Sequence, residues 1–315
     1  MNVLVQKPIF WVAVAAALAL ATKSPALALC LGGAISLLWG NPIQKRIGRM
    51  SKHLLQLAVI LLGFGLPFHI VLKVGYASVG VTFVSITGTL LLGWALGRVF
   101  RVNRDLSLLL SSGTAICGGS AIAAMAPVIG APPACTALAM AVVFLLNGVA
   151  LLVFPFAGHL LGLSQNDFGV WSALAIHDTS SVVGATAAFG AQALAVGTTV
   201  KLTRALWILP VSFLGARIRR SESGAKVPWF LLAFLATAML RSSLPAMDGV
   251  WDGLALGGKR MMVATLFLVG AGLARADLRR LGGGPMIKAV VLWIVVAALS
   301  LGAILLGWCR IEMPV

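Results

Sequence analysis

The chain has 315 residues, of which 60% are hydrophobic and 10% charged, with 24 Lys and Arg against 8 Asp and Glu. A soluble domain carries roughly 25% charged residues, so this composition, with a mean hydropathy of +1.03, excludes a soluble globular protein. The formal charge of +16 does not point to nucleic acid either, because most basic residues sit in short loops between apolar runs, the positive-inside distribution of a membrane protein.

In chain order, apolar segments run at about 9–22, 25–40, 51–67, 78–100, 105–130, 133–160, 165–190, 191–216, 227–244, 252–273 and 285–308. They predict an all-α polytopic membrane protein of about eleven transmembrane helices in the lipid bilayer, organised as one membrane domain over 1–315. Lys7 and Ile9–Ala21 have the shape of a signal peptide, but Pro25 and a second apolar run follow at once, so the first segment is read as a retained helix. Basic clusters fall at Lys45/Arg46/Arg49/Lys52, Arg98/Arg101/Arg104, Arg217/Arg219/Arg220/Lys226 and Arg275/Arg279/Arg280. Eleven crossings from a cytoplasmic N-terminus put all four on the cytoplasmic side and the C-terminus in the periplasm. Cys30, Cys117, Cys135 and Cys309 are scattered and form no metal-ligand spacing.

Ser51–Leu66 echoes Gly258–Leu273, with Lys52/Lys259, Gly63/Gly270, Gly65/Gly272 and Leu66/Leu273 in register. These are the third and tenth segments, and an odd separation gives them opposite orientations, as in an inverted-repeat transporter. The candidate repeats are about 9–130 and 165–308.

Two segments are interrupted mid-span. The first, Ser111-Ser-Gly-Thr-Ala-Ile-Cys-Gly-Gly-Ser-Ala121, mixes three glycines with hydroxyl residues, a poor helix interior. Backbone groups released at membrane depth must face protein or a wet cavity. A half-helix starting near Gly118 would present free N–H groups and a positive dipole end. The second, Ala175-Ile-His-Asp-Thr-Ser-Ser-Val-Val-Gly-Ala-Thr-Ala-Ala188, matches the first at Ala121/Ala185, Ala123/Ala187 and Ala124/Ala188, and Asp178 is placed to cap a new half-helix. Packing of small residues between helices is the alternative reading of both.

Lys201 and Arg204 lie one turn apart, ten or more residues from either end of their segment. A charge at mid-bilayer costs about 2.5–3.5 kcal/mol, so the pair is expected to have a use. Asp178 is expected to neutralise one cation, leaving a net positive charge for an anion. Arginine suits oxyanions by forked hydrogen bonding, and His177 is suited to coupling protons. Lys288 is placed near a helix start, able to snorkel, and Arg241, Asp248, Asp252, Lys259 and Arg260 are expected to be solvated.

The motifs Gly113–Ala124, His177–Ala185 and Lys201-Leu-Thr-Arg204, with Leu62-Gly-Phe-Gly-Leu66 and Lys259–Leu273, resemble the YeiH family of bacterial inner-membrane proteins, commonly labelled sulfate exporters. The resemblance runs through nearly the whole chain. It implies the superfamily of cation:proton antiporters and anion transporters, with inverted repeats, crossed unwound helices and a core domain moving against a panel or dimerisation domain. Two breaks two helices apart would run parallel as spans, which does not fit an inverted pair; either the second break lies elsewhere or one segment is re-entrant.

The leading expectation is a secondary transporter in the bacterial inner membrane, exporting or exchanging a small inorganic or organic anion, sulfate or a small sulfonate, by alternating access. Its substrate site comprises Ser112, Gly113, Thr114, Cys117, Gly118, Gly119, Ser120, His177, Asp178, Thr179, Ser180, Ser181, Lys201 and Arg204. Protons or a coupling cation are possible co-substrates, and a homodimer is compatible with the family. The alternative is a cation:proton antiporter with Asp178 as carrier. No HExxH, nucleophile–base pair or metal cluster occurs, so neither enzyme activity nor a cofactor is expected.

Overall fold

The computed structural model describes residues 8–21, 25–39, 44–219, 229–272, 283–309 and 311. Every regular element among them is helical. The helices are α1 (Pro8–Ala21), α2 (Pro25–Trp39), α3 (Gln44–Gly63), α4 (Phe68–Val99), α5 (Arg104–Ala115), α6 (Gly119–Ile129), α7 (Pro133–Leu160), α8 (Gln165–Ala175), α9 (Thr179–Phe189), α10 (Ala191–Leu206), α11 (Ile208–Arg219), α12 (Trp229–Ser243), α13 (Asp248–Ala271) and α14 (Gly283–Leu305). Phe68–Val99, Ala134–Leu160, Ala191–Gly215 and Gly283–Leu305 are long and apolar enough to cross a membrane. Helix starts carry the expected signals. Pro8, Pro25 and Pro133 open their helices, while Asn103 and Ser164 cap α5 and α8 through Asp105 N and Asp167 N.

The chain divides into two compact units, Met1–Lys73 with Pro228–Ala276, and Val74–Val227 with Asp277–Val315. In the first, α3 and α13 pack antiparallel. Ile47 shares a buried cluster with Val263, Phe267 and Ala271, Gly258 lies against Ala58 and Leu62, and Phe64 stacks on Trp251 at 5.0 Å. This is the opposite orientation expected of the echoing segments. A Cβ on Gly32 would sit 2.0 Å from Phe267 O, so glycine is what lets α2 reach the α13 backbone. Arg241, expected to be solvated, is instead tied down: it lies 2.9 Å from Asp252 and 3.7 Å from Asp248, and also donates to Phe64 O. Arg220, Lys226, Arg275, Arg279 and Arg280 lie outside the described residues.

In the second unit the two interrupted segments fold back on themselves. α5 leaves the end of α4, with Ser107 and Ser111 packed on Gly97 and Gly93. α6 returns: Ile122 lies against Gly113, and Met125 and Val128 reach Gly215 of α11, beside the cavity that Arg98 and Arg104 also line. In the second pair, Phe168 near the start of α8 stacks on Phe189 at the end of α9, centroids 3.8 Å apart. Gln165 Oε1 accepts from Gln192 N at 3.0 Å. Both segments are therefore re-entrant hairpins. Each half has 11 or 12 residues, about 17 Å at 1.5 Å per residue, enough to reach the middle of a ~30 Å core and return.

α7 carries the chain between the hairpins. It passes the first tip at Val143 and Phe144, the second at Asn147, and the base of the second hairpin at Gly158, against Phe168 and Phe189. The hairpins thus enter from opposite faces and meet at their tips, where a Cβ on Gly118 would lie 3.4 Å from Asp178 Cα. Replacing two crossings by two hairpins leaves the parity of the basic loops unchanged. Arg98, Arg101, Arg104 and Gly215 border one cavity at one face. α14 starts near that face, with Gly284 beside Phe100 O, and ends at the other, where Asn166 Nδ2 donates to Ile311 O at 2.6 Å.

Candidate functional site: the meeting hairpin tips

Four helix ends converge where the tips meet. α5 and α8 arrive with their C-terminal carbonyls, and α6 and α9 depart with their N-terminal N–H groups. The carbonyl ends carry a partial negative charge and the N–H ends a partial positive one. None can be left bare at this depth.

The two carbonyl ends are held by the cations of α10. Lys201 Nζ donates to Ile176 O at 2.7 Å and Ala173 O at 3.3 Å. Arg204 reaches both hairpins: Nε to Ala115 O at 2.5 Å and Nη2 to Thr114 O at 3.1 Å in the first, Nη1 to Ala173 O at 3.0 Å and to Leu174 O in the second. Both side chains are completely buried, and among the described residues neither has a carboxylate within ion-pair distance. The expected pairing with Asp178 does not form. Asp178 caps α9 instead, its Oδ2 accepting from Ser180 N at 2.9 Å and from Ser180 Oγ. The local geometry explains this, because a carboxylate two residues before a free N–H is the ordinary N-cap arrangement.

The two N-terminal ends differ. α6 begins at Gly119 after Gly118, which has φ +67° and no side chain to cap the helix. Gly118 N donates back to Gly113 O at 2.9 Å, closing the turn. Ser120 is exposed, Asp178 half-buried, and Ser112–Gly119, His177 and Thr179–Ser181 are buried. The hydroxyls of Ser112 and Thr114 donate to Leu109 O and Leu110 O of their own helix. His177 Nε2 lies 3.2 Å from Thr114 Oγ1, a second link between the tips. Cys117 is a free, buried thiol within the first tip.

Sequence reasoning missed two participants. Asn147 of α7 accepts from Asp178 N at 3.1 Å, while its Nδ2 and His177 Nδ1 are buried without a hydrogen-bond partner among the described residues. An orphaned buried polar atom costs about 1–3 kcal/mol. Asn147 is the one amide in the long apolar run of α7, a signal that was available. Lys288, read as snorkelling, is buried and donates to Ser111 Oγ at 2.8 Å and Ser107 O at 3.0 Å, beneath the first tip. No metal-ligand cluster occurs among the described residues.

A buried polar centre built from two opposed re-entrant hairpins, in an all-helical apolar chain, defines a polytopic membrane protein. The family model described as Conserved hypothetical protein 698 matches residues 8–307. The chain is 52% identical to a UPF0324 membrane protein of Geobacter sulfurreducens, over 90% of this chain and 91% of the relative. It is 49% identical to one of Bdellovibrio bacteriovorus, over 90% of each, and 43% identical to one of Bacteroides thetaiotaomicron, over 89% and 86%. No solved structure matches. The chain belongs to the UPF0324 family of membrane proteins, the YeiH-like family its motifs resemble.

Proposed function

We propose that this protein is a secondary transporter of a small anion, binding it where the hairpin tips meet and working by alternating access. The observation that carries this reading is the pair of buried cations whose hydrogen bonds, among the described residues, all go to backbone carbonyls. Lys201 and Arg204 bring two positive charges and Asp178 one negative. By the macrodipole, two carbonyl ends add about one negative charge and two N–H ends about one positive, leaving roughly one positive charge. An anion is what balances it. The N–H groups at the start of α6, the exposed Ser120 Oγ and the unpartnered Asn147 Nδ2 would supply the donors, and Lys201 and Arg204 act on the anion through the field rather than by contact. The resemblance to the YeiH family makes sulfate or a small sulfonate the first substrates to try. Hairpins entering from opposite faces suit an inverted repeat, with the arginine face cytoplasmic by the positive-inside rule and the bacterial inner membrane as location.

Reconstituted protein should move radiolabelled sulfate or a small sulfonate saturably. Asn147→Ala and Ser120→Ala should each weaken half-saturation by roughly 10- to 100-fold, one lost hydrogen bond to a charged ligand. Folded wild-type protein that moves none of the anions tried removes the proposal. Sodium- or potassium-driven proton movement abolished by Asp178→Asn would replace it with the antiporter reading.

A further inference from the structure

The second unit contains a cavity of about 680 Å³ that runs along the first hairpin from the arginine face to Ser111 and Ser112. Pockets that enclose drug-sized ligands run to roughly 300–1,000 Å³. Its rim carries Arg98, Arg101 and Arg104, no carboxylate among the described residues lines it, and its walls are mainly apolar, with Leu90, Leu108, Met125, Val211 and Leu214. It ends at Ser111 and Ser112, whose hydroxyls already donate to Ser107 O and Leu109 O. A small hydrated anion gains nothing from such walls, whereas a long apolar chain with an anionic head fits both parts.

Two observations fix the depth and shape of the rim. Trp94 is 58% exposed, and the Arg98 guanidinium sits 4.0 Å from its ring centroid. Exposed tryptophan with a stacked arginine belongs to the headgroup level of a bilayer. Arg101, in the turn between α4 and α5, has φ +51° and is the one non-glycine residue with positive φ among those described. That left-handed conformation is unfavourable for a side chain, and it adds a third arginine to the rim.

We propose that this cavity binds an anionic phospholipid from the leaflet on the arginine face, its headgroup on Arg98, Arg101 and Arg104 and one acyl chain along the apolar walls. Basic pockets between membrane helices take such headgroups. The inference goes beyond the transport reading and does not depend on it.

The test is native mass spectrometry of the purified full chain in an equimolar mixture of phosphatidylglycerol and phosphatidylcholine with identical chains, with and without inorganic phosphate. Phosphatidylglycerol should be retained roughly tenfold or more over phosphatidylcholine. The triple variant Arg98→Gln/Arg101→Gln/Arg104→Gln should bind the two lipids equally. Val211→Trp, which narrows the apolar wall and leaves the arginines in place, should lower retention of phosphatidylglycerol severalfold, and inorganic phosphate should not displace it. Equal retention by the wild type, undiminished phosphatidylglycerol binding by Val211→Trp, or displacement by phosphate overturns the proposal. Those three outcomes decide it even if the triple variant does not fold.

Discussion

The two hairpins are alike in length and depth but opposite in how their return helices start. The second opens on Asp178, a carboxylate that closes its own helix end through Ser180. The first opens on Gly118, whose N–H closes the turn on Gly113 O but which has no side chain to cap the N–H groups at the start of α6. The cations of α10 serve the carbonyl ends of both, so they do not separate the two. What separates them is one side chain at one position. The contrast assigns different duties: the second tip is a finished structural end, while the first is where backbone donors stay available for a solute.

The strongest way to break this comparison is to remove what both hairpins share. Arg204→Ala deletes hydrogen bonds to four carbonyls in two hairpins and takes this partner from Thr114 O, Ala115 O and Leu174 O in an apolar interior, while Ala173 O keeps Lys201. It should cost on the order of 3–5 kcal/mol, read as lost folded yield or a large drop in melting temperature in detergent. Arg204→Lys should recover only part, because lysine lacks the fork that spans two helix ends. An unaffected melting temperature in Arg204→Ala would end the idea that this side chain ties the tips together.

Next comes the base of the second hairpin. Phe168 is wholly buried against Phe189 and Trp171, so Phe168→Ala should destabilise by about 3–5 kcal/mol. The base of this hairpin also allows a topological check: cysteines introduced singly at Asn166 and Gln192 should react with a membrane-impermeant thiol reagent from the same side of oriented vesicles. Reaction from opposite sides would mean that 165–190 crosses the membrane after all.

Gly118 comes third. Its φ of +67° with ψ −127° is a conformation side chains avoid, and an added Cβ would lie 3.3 Å from Val143 and 3.4 Å from Asp178. Gly118→Ala should cost about 1–3 kcal/mol and reduce anion flux more than Gly184→Ala in the body of α9. Equal effects would show that the first tip has no special standing.

The smallest effect sharpens the contrast most. Asp178→Ala should lose about 1 kcal/mol as a missing N-cap, and Asp178→Asn much less, since asparagine caps equally well. Anion flux should survive Asp178→Asn. Losing it there, with the melting temperature unchanged, would give Asp178 a carrier's role in place of a structural one.

The breaks themselves were legible in the sequence. Glycines and hydroxyls interrupting apolar runs located the turn near Gly118 and the cap at Asp178, and the depth of Lys201 and Arg204 marked them as buried. Their partners were not legible. Asp178 is the natural counter-charge in composition, yet backbone carbonyls from two separate hairpins surround the cations, and carbonyls leave no trace in a sequence. Lys288 was misplaced for the same reason, because its acceptors belong to a helix 177 and 181 residues away.

By itself the sequence determined that this chain is helical and membrane-embedded, which family it resembles, where its helices fail and that Lys201 and Arg204 lie deep, since hydropathy, glycine and charge act locally or through the bilayer. Only the tertiary structure decided that the failed helices turn back rather than cross. A 25-residue apolar segment with a weak middle is long enough for either path, and the choice depends on whether Arg204, Asn147 and His177 of other elements are there to satisfy the groups the turn lays bare.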